Sequence, residues 1–246
     1  MKINKKKILS LVFSVAILLF VIISLKFAGV KYLETRCNEV AILIKNGNMH
    51  SFVDTEDILS IISNENIKLK GELFDSLNLV SLEKSLYKHP AVKRADIYKR
   101  LSGKLCIEIE QRTPIVRIIS NRDNYYIDEE GVRMPALPKY SSRVLVANGN
   151  ISEKFAINKL FPFSKYIWDN EFWKSQIEQI WVDNNGDMDI ITKVGNQRII
   201  FGEPDNYKMK LRKLKAMYDQ AFNNVGWDKY KTINLKFSNQ VVCTKK

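Results

Sequence analysis

ILSLVFSVAILLFVIISL, residues Ile8 to Leu25, is one uncharged and mostly apolar run, entered through Lys2, Lys5, Lys6 and Lys7. No second run of this kind follows. Wound as a helix, the run is ~27 Å long, against a bilayer hydrocarbon core of ~30 Å. Lys26 can bury its stem and keep its ammonium at the headgroups, so Phe27, Ala28, Gly29 and Val30 complete a crossing. Ser10, Ser14 and Ser24 can bond back to helix carbonyls. The lysine cluster favours the cytoplasmic side. The sequence therefore predicts a cytoplasmic tail at 1–7, a transmembrane helix at 8–30 and a folded exterior. The competing reading is a cleaved signal peptide, whose apolar core is usually ~7–15 residues and ends at a small-x-small site. This run is longer, and Phe27-Ala28-Gly29 matches such a site poorly.

Topology also accounts for part of the formal charge of +12. Five of the 39 Lys and Arg residues lie in residues 1–26, which hold no Asp or Glu, so the remainder carries 34 against 27, a net +7. That charge is spread rather than concentrated on one stretch, as a nucleic-acid binder requires, and an exterior location denies access to nucleic acid. Cys37, Cys106 and Cys243 are widely spaced and form no CxxC, so they read as packed or edge thiols. His50 and His89 lack ligand spacing.

In the exterior, Val40-Ala41-Ile42-Leu43-Ile44 suits a covered strand. Asp54 is an N-cap with Asp57 at N3, and Val53 and Ile58 occupy the staple positions. Ser81 reads as the cap of a second helix that stops at His89-Pro90. Val92 to Lys99 is a weakly alternating strand. Lys104 to Arg112 alternates strongly, with Leu105, Ile107 and Ile109 opposite Cys106, Glu108 and Glu110, and Leu101-Ser102-Gly103 is the turn between the two. The order strand, helix, helix, strand, strand predicts a compact module over 38–115.

Residues 116–246 read as β-rich. Tyr125–Ile127 and Val132–Met134 flank a turn at Asp128–Gly131, and Arg143 to Ala147 is a short strand. Ser152 to Trp168 is a helix interrupted at Pro162. Ile177–Val182, Met188–Lys193 and Arg198–Phe201 form a meander with turns at Asn184-Asn185-Gly186 and Gly195-Asn196. Tyr207 to Phe222 is helical, and Ile233, Leu235 and Phe237 begin a last strand that Val241-Val242 extend. A terminal strand at a sheet edge invites strand addition by a partner.

Catalytic and metal patterns are weak. Glu108 and Glu110 are neighbours on one polar strand face, which reads as a charge ladder rather than as two carboxylates across a cleft. Asp183, Asp187 and Asp189 surround a turn but lack the calcium-loop pattern. No GxSxG, HExxH or P-loop is present. Neither an enzyme activity nor a cofactor is expected.

The layout of basic tail, single span, small αβ module and β-rich domain resembles the FtsQ/DivIB bacterial cell-division family, in its Bacteroidetes-type form. Leu82–Leu86 with His89-Pro90-Ala91-Val92 through Ile97 is similar to the helix, "hP-x-V" stop and strand of its POTRA domain. Arg112-Thr113-Pro114-Ile115-Val116-Arg117 resembles its "R-x-P-x-A" junction, with Val116 where Ala is common. Tyr126–Gly131 matches "Y-x-D-x-x-G". Phe172-Trp173, Gly202-Glu203, Lys210-Leu211, Gly226-Trp227 and Ile233–Phe237 resemble its outer domain. The resemblance implies an α+β fold and a non-enzymatic scaffold of the cell inner membrane, concentrated at the septum. It implies binding of an FtsB/DivIC–FtsL pair and, through it, of the septal peptidoglycan synthase FtsW–FtsI. The partner strand would add along Ile233–Val242, giving Ile233, Leu235, Lys236, Phe237, Asn239 and Val241 as contact residues, with help from the preceding helix. The alternatives are a membrane-anchored cell-wall enzyme or another envelope POTRA-type assembly protein.

Overall fold

A computed structural model of the chain describes residues 5–33, 35–45, 52–65, 67–121, 123–222 and 226–246. Lys2 of the tail and His50 lie outside the described residues. Helix α1 runs Lys5–Leu33. Its described side chains, Leu9 and residues 11–26, are all exposed. Among the described residues no helix is long and apolar enough to cross a membrane. Residues 11–26 make ~24 Å of helix, short of a ~30 Å core, and the expected span also draws on Ile8, Ser10 and Phe27–Val30, whose side chains are not described. Residues Met1–Gly47 with Val53–Gln111 group as one compact unit, and Asn48–Phe52 with Arg112–Lys246 as another.

The first unit has the expected element order: β1 (Glu39–Lys45), α2 (Thr55–Asn64), α3 (Leu79–Tyr87), β2 (Val92–Lys99) and β3 (Lys104–Gln111). The sheet order is β1-β3-β2. β3 pairs in parallel with β1 and antiparallel with β2. Asp54 and Asp57 close a reciprocal capping box on α2, and the staple residues Val53 and Ile58 are both buried. At α3 the expectation needs correction. Asn78, not Ser81, is the cap, and its Oδ1 accepts the Ser81 N–H at 3.0 Å. Asn caps as well as Ser does, and Leu79 and Val80 continue the helix backwards from Ser81. The alternation in β3 appears as burial of Leu105, Ile107 and Ile109 against Leu82, Leu86 and Ile58 in one core. Gly103 turns the hairpin at φ +83.

The second unit comprises β4 (Pro114–Ser120), β5 (Asn124–Asp128), β6 (Arg133–Pro135), β7 (Leu145–Gly149), α4 (Glu153–Phe155), α5 (Phe161–Trp168), α6 (Glu171–Gln176), β8 (Ile177–Val182), β9 (Met188–Thr192), β10 (Arg198–Gly202), α7 (Tyr207–Ala216), β11 (Tyr230–Asn234) and β12 (Val242–Lys245). π-helical turns at Ala156–Leu160 and Met217–Phe222 continue α4 and α7. Pro162 falls in the first turn of α5, where its missing N–H is tolerated. The sheet order is β12-β11-β10-β9-β8-β7-β4-β5-β6. The meander β8–β9–β10 is antiparallel as expected. Strand β4, helix α6 and the parallel pairs β4/β7, β7/β8 and β10/β11 are additions that the pattern along the chain did not reveal. Parallel neighbours need crossovers, usually helical. The helical segment between β7 and β8 and α7 with its π-helical turn supply two of them, burying Phe163, Leu211, Leu214, Tyr218 and Phe222 in one core with Phe201 and Ile233, while β4 reaches β7 through β5 and β6.

Two residues of the junction and hairpin motifs meet in this unit. The Arg112 guanidinium lies 2.8 Å from Asp128 Oδ2, whose side chain is 1% exposed. Asp128 Oδ1 accepts the N–H groups of Glu130 and Val132 at 2.9 and 2.7 Å. One carboxylate thus closes the β5–β6 turn and neutralises the arginine at the start of the domain. Removing Asp128 strips Arg112 of its nearer, buried partner, leaves it only the exposed Glu130 at 3.4 Å, and takes the acceptor from two turn N–H groups. Asp128→Ala is expected to lower the stability of the second unit by about 3 kcal/mol, read as a lower urea midpoint with an unchanged slope.

His89 follows the end of α3, half-buried, with the Ala91 N–H donating to its Nδ1 at 3.3 Å. That bond needs an unprotonated Nδ1. Burial pushes the imidazole pKa below the ordinary 6.5, partly opposed by Asp57. The unfolded chain therefore takes up the proton first, and stability falls as pH drops below about 6.5 until the folded value is passed. In His89→Gln the urea midpoint is expected to depend less on pH between pH 7.5 and 5 than in the parent chain.

Candidate partner-binding edge

The expected last strand is two strands. β11 ends at Asn234, the chain bends through Phe237-Ser238-Asn239, and β12 returns antiparallel to β11. The physical reason is local. Ser and Asn favour turns through side-chain bonds to the backbone, and they interrupt the alternation directly after Phe237. β11 is consequently an interior strand. Ile233 pairs with Ile199 on one side and Cys243 on the other. Leu235 donates its N–H to the Ile200 carbonyl at 2.9 Å. Both side chains are 0% exposed, so Ile233 and Leu235 are core residues, and the expectation that they face a partner is corrected.

The other expected contact residues are at the surface. Lys236 is exposed but has an internal partner, with its Nζ 2.5 Å from Asp187 Oδ2. That bond holds the ammonium above its ordinary pKa. Its stem covers Gly202, where an added Cβ would lie 2.7 Å from Lys236 Cγ and where φ is +74. Phe237 is 47% exposed, and its carbonyl accepts from Lys213 Nζ at 2.5 Å. Asn239 is exposed. Val241 is half-buried and packs on the domain core.

β12 ends the sheet and pairs on one side, with β11. Val242, Thr244 and Lys245 are exposed along it, and Cys243 packs on the core while burial raises its thiol pKa. Such a terminal strand presents a row of backbone N–H and C=O groups. The opposite end is guarded differently: β6 spans only Arg133–Pro135, and both shortness and proline discourage pairing.

The acidic groups have structural partners. Glu108 contacts Lys45 at 2.8 Å and accepts from the Tyr98 hydroxyl at 2.8 Å, and the lysine and then the tyrosine hold its pKa low. Glu110 pairs with Lys93 at 3.9 Å. Asp183 Oδ1 accepts the N–H groups of Asn185 and Asp187 within its own turn. Asp187 and Asp189 pair with Lys236 and Arg198. Carboxylates already neutralised by cations make a poor calcium site, and among the described residues no cluster could hold a metal ion. Cys37, Cys106 and Cys243 are free thiols, the first two buried.

A family model described as "FtsQ/DivIB, C-terminal related" matches residues 113–244, more than half of the chain. A second, described as a POTRA-like domain, matches residues 35–110. The chain belongs to the FtsQ/DivIB family. FtsQ/DivIB proteins are non-enzymatic scaffolds of cell division, so the family assigns this chain to division. A comparison with curated proteins finds no match. The FtsQ/DivIB match ends at residue 244 and so runs through β11 and into β12.

Proposed function

We propose that the chain is a single-pass division scaffold of the inner membrane that captures a partner strand along β12. The observation that carries this reading is the place of β12 at the end of the nine-stranded sheet, paired on one side, with Phe237, Val242 and Thr244 exposed beside it. Backbone pairing along such an edge provides affinity, and side-chain anchors provide selectivity. The family resemblance names the partner as an FtsB/DivIC-like chain acting with an FtsL-like one, and through them the septal synthase FtsW–FtsI. The contact residues in this reading are Lys236, Phe237, Asn239 and Val241, joined by Val242 and Thr244.

Phe237→Asp and Val242→Asp place charge at exposed positions, so the domain stays folded. Loss of an interface anchor costs about 2 kcal/mol or more, and capture of the purified FtsB/DivIC-like partner is expected to fall by at least about tenfold. The POTRA-like unit has an edge of its own at β1, where Leu43 is 54% exposed. Capture lost in Leu43→Asp but retained in Phe237→Asp would move docking to that edge.

α1 serves as the anchor in this reading. It is 29 residues long, or ~43 Å of helix, its described apolar side chains are exposed, and lysines lead into it. The expected topology is amino end inside and domains outside. Protease added to spheroplasts should digest Arg112–Lys246 and spare an epitope placed before Met1, and the reverse pattern rejects the anchor. Release of fragments from peptidoglycan by the full chain would favour the cell-wall enzyme instead.

A further inference from the structure

Helix α7 carries Lys208, Lys210, Arg212, Lys213 and Lys215 and no acidic residue. These cations divide by their position around the helix. At 3.6 residues per turn, 208, 212 and 215 fall within about 60° of arc, and 210 and 213 lie on roughly the opposite side. The second pair is spent on the fold. Lys210 Nζ donates to the carbonyls of Phe201 and Glu203 at 3.0 and 2.7 Å. Lys213 Nζ donates to those of Phe237 and Ser238. These bonds fasten the helix to the end of β10 and to the bend before β12.

The other three line a groove of about 730 Å³ with Tyr166, Trp173 and Tyr207. No Asp or Glu lines it among the described residues. Among the described residues Arg212 is exposed and makes no ion pair or hydrogen bond, and Lys208 has its Nζ 5.8 Å from the centre of the Tyr166 ring. Lys215 sits 4.2 Å from the Phe172 ring and is shared with Asp219. Met209, 45% exposed, lies among them. Methionine suits an adaptable peptide-binding surface. Asn206, at the start of the helix, lines the groove and makes no capping bond.

We propose that this groove, on the side of α7 turned away from the β12 bend, is a second docking site that takes an acidic amphipathic peptide segment. Three cations within one arc match carboxylates at i, i+4 and i+7 of a facing helix. The rings do not favour a sugar. Trp173 is 3% exposed, Tyr207 packs on Phe163 and Tyr166 at 5.6 and 5.4 Å, and a lysine covers Tyr166. The face of a pyranose finds little open aromatic surface there, whereas a carboxylate meets the Arg212 guanidinium, which has no ion pair among the described residues, with the Lys208 ammonium on the same arc.

The test uses the full chain in phosphatidylcholine nanodiscs. The probe is a fluorescent helical peptide with Glu at i, i+4 and i+7 and Leu on the adjoining face. The controls are the same peptide with Gln for Glu and vesicles containing phosphatidylglycerol. The acidic peptide is expected to bind saturably, about tenfold more tightly than the Gln version. Arg212→Glu and Lys208→Glu should each weaken it about tenfold, Arg212→Lys should retain most of the binding, and Phe237→Asp should leave it unchanged. Both glutamate variants alter exposed residues, and an unchanged circular dichroism spectrum confirms their fold. Absent binding, equal affinity for the Gln peptide, or indifference to Arg212→Glu overturns the proposal. Loss in Phe237→Asp alone would place the peptide on the β12 edge and overturn it equally. Arg212-dependent recruitment of the anionic vesicles in preference to the peptide would make the groove a lipid site and also overturn it.

Discussion

β11 lies parallel to β10, and much of the outer domain follows from that pairing. A parallel neighbour cannot be reached by a tight turn, so the chain must cross the sheet first. α7 and its π-helical turn make the crossing and bury Leu211, Leu214, Tyr218 and Phe222 on the sheet. β11 then has β10 on one side, and the chain returns on the other. That return is β12, the sheet's terminal strand. Antiparallel pairing of β10 and β11 would have required no crossover helix, and neither the basic groove nor the present edge would exist.

The polar residues that read most conspicuously in the chain hold the fold together. Asp128 closes a turn and neutralises Arg112. Asp187 and Asp189 neutralise Lys236 and Arg198. Lys210 and Lys213 donate to backbone carbonyls at the end of β10 and in the bend before β12. Surfaces left for other molecules include a strand edge made of backbone and a groove in which Arg212 has no such duty among the described residues. This division of labour suits a scaffold, because a docking surface needs unspent bonding capacity on a rigid frame.

Much of the fold was legible along the chain. The capping box of Asp54 and Asp57, the alternation of Lys104 to Gln111, the β8–β9–β10 meander and the 3.6-residue period of Tyr207 to Phe222 each depend on residues a few positions apart. The misreadings arose where two local signals competed. Asn78 and Ser81 can both cap α3, and the earlier one prevails because Leu79 and Val80 are helical. Ile233 to Val242 alternates well enough to look continuous, but Ser238 and Asn239 bend it. β4 escaped notice because Arg112–Arg117 reads first as a junction and its strand character depends on β5 and β7.

The sequence by itself determined the apolar amino run, the two-part layout, most element types and the family, since these reside in composition, short-range periodicity and motif order. Only the tertiary structure decided that Ile233 and Leu235 are core, that β12 is the edge, and that Lys236, Lys210 and Lys213 are occupied while Arg212 is not. Those outcomes depend on neighbours from other strands and loops, such as Ile199 beside Ile233 and Asp187 beside Lys236. No pattern within one stretch of chain encodes which distant segment will lie next to it.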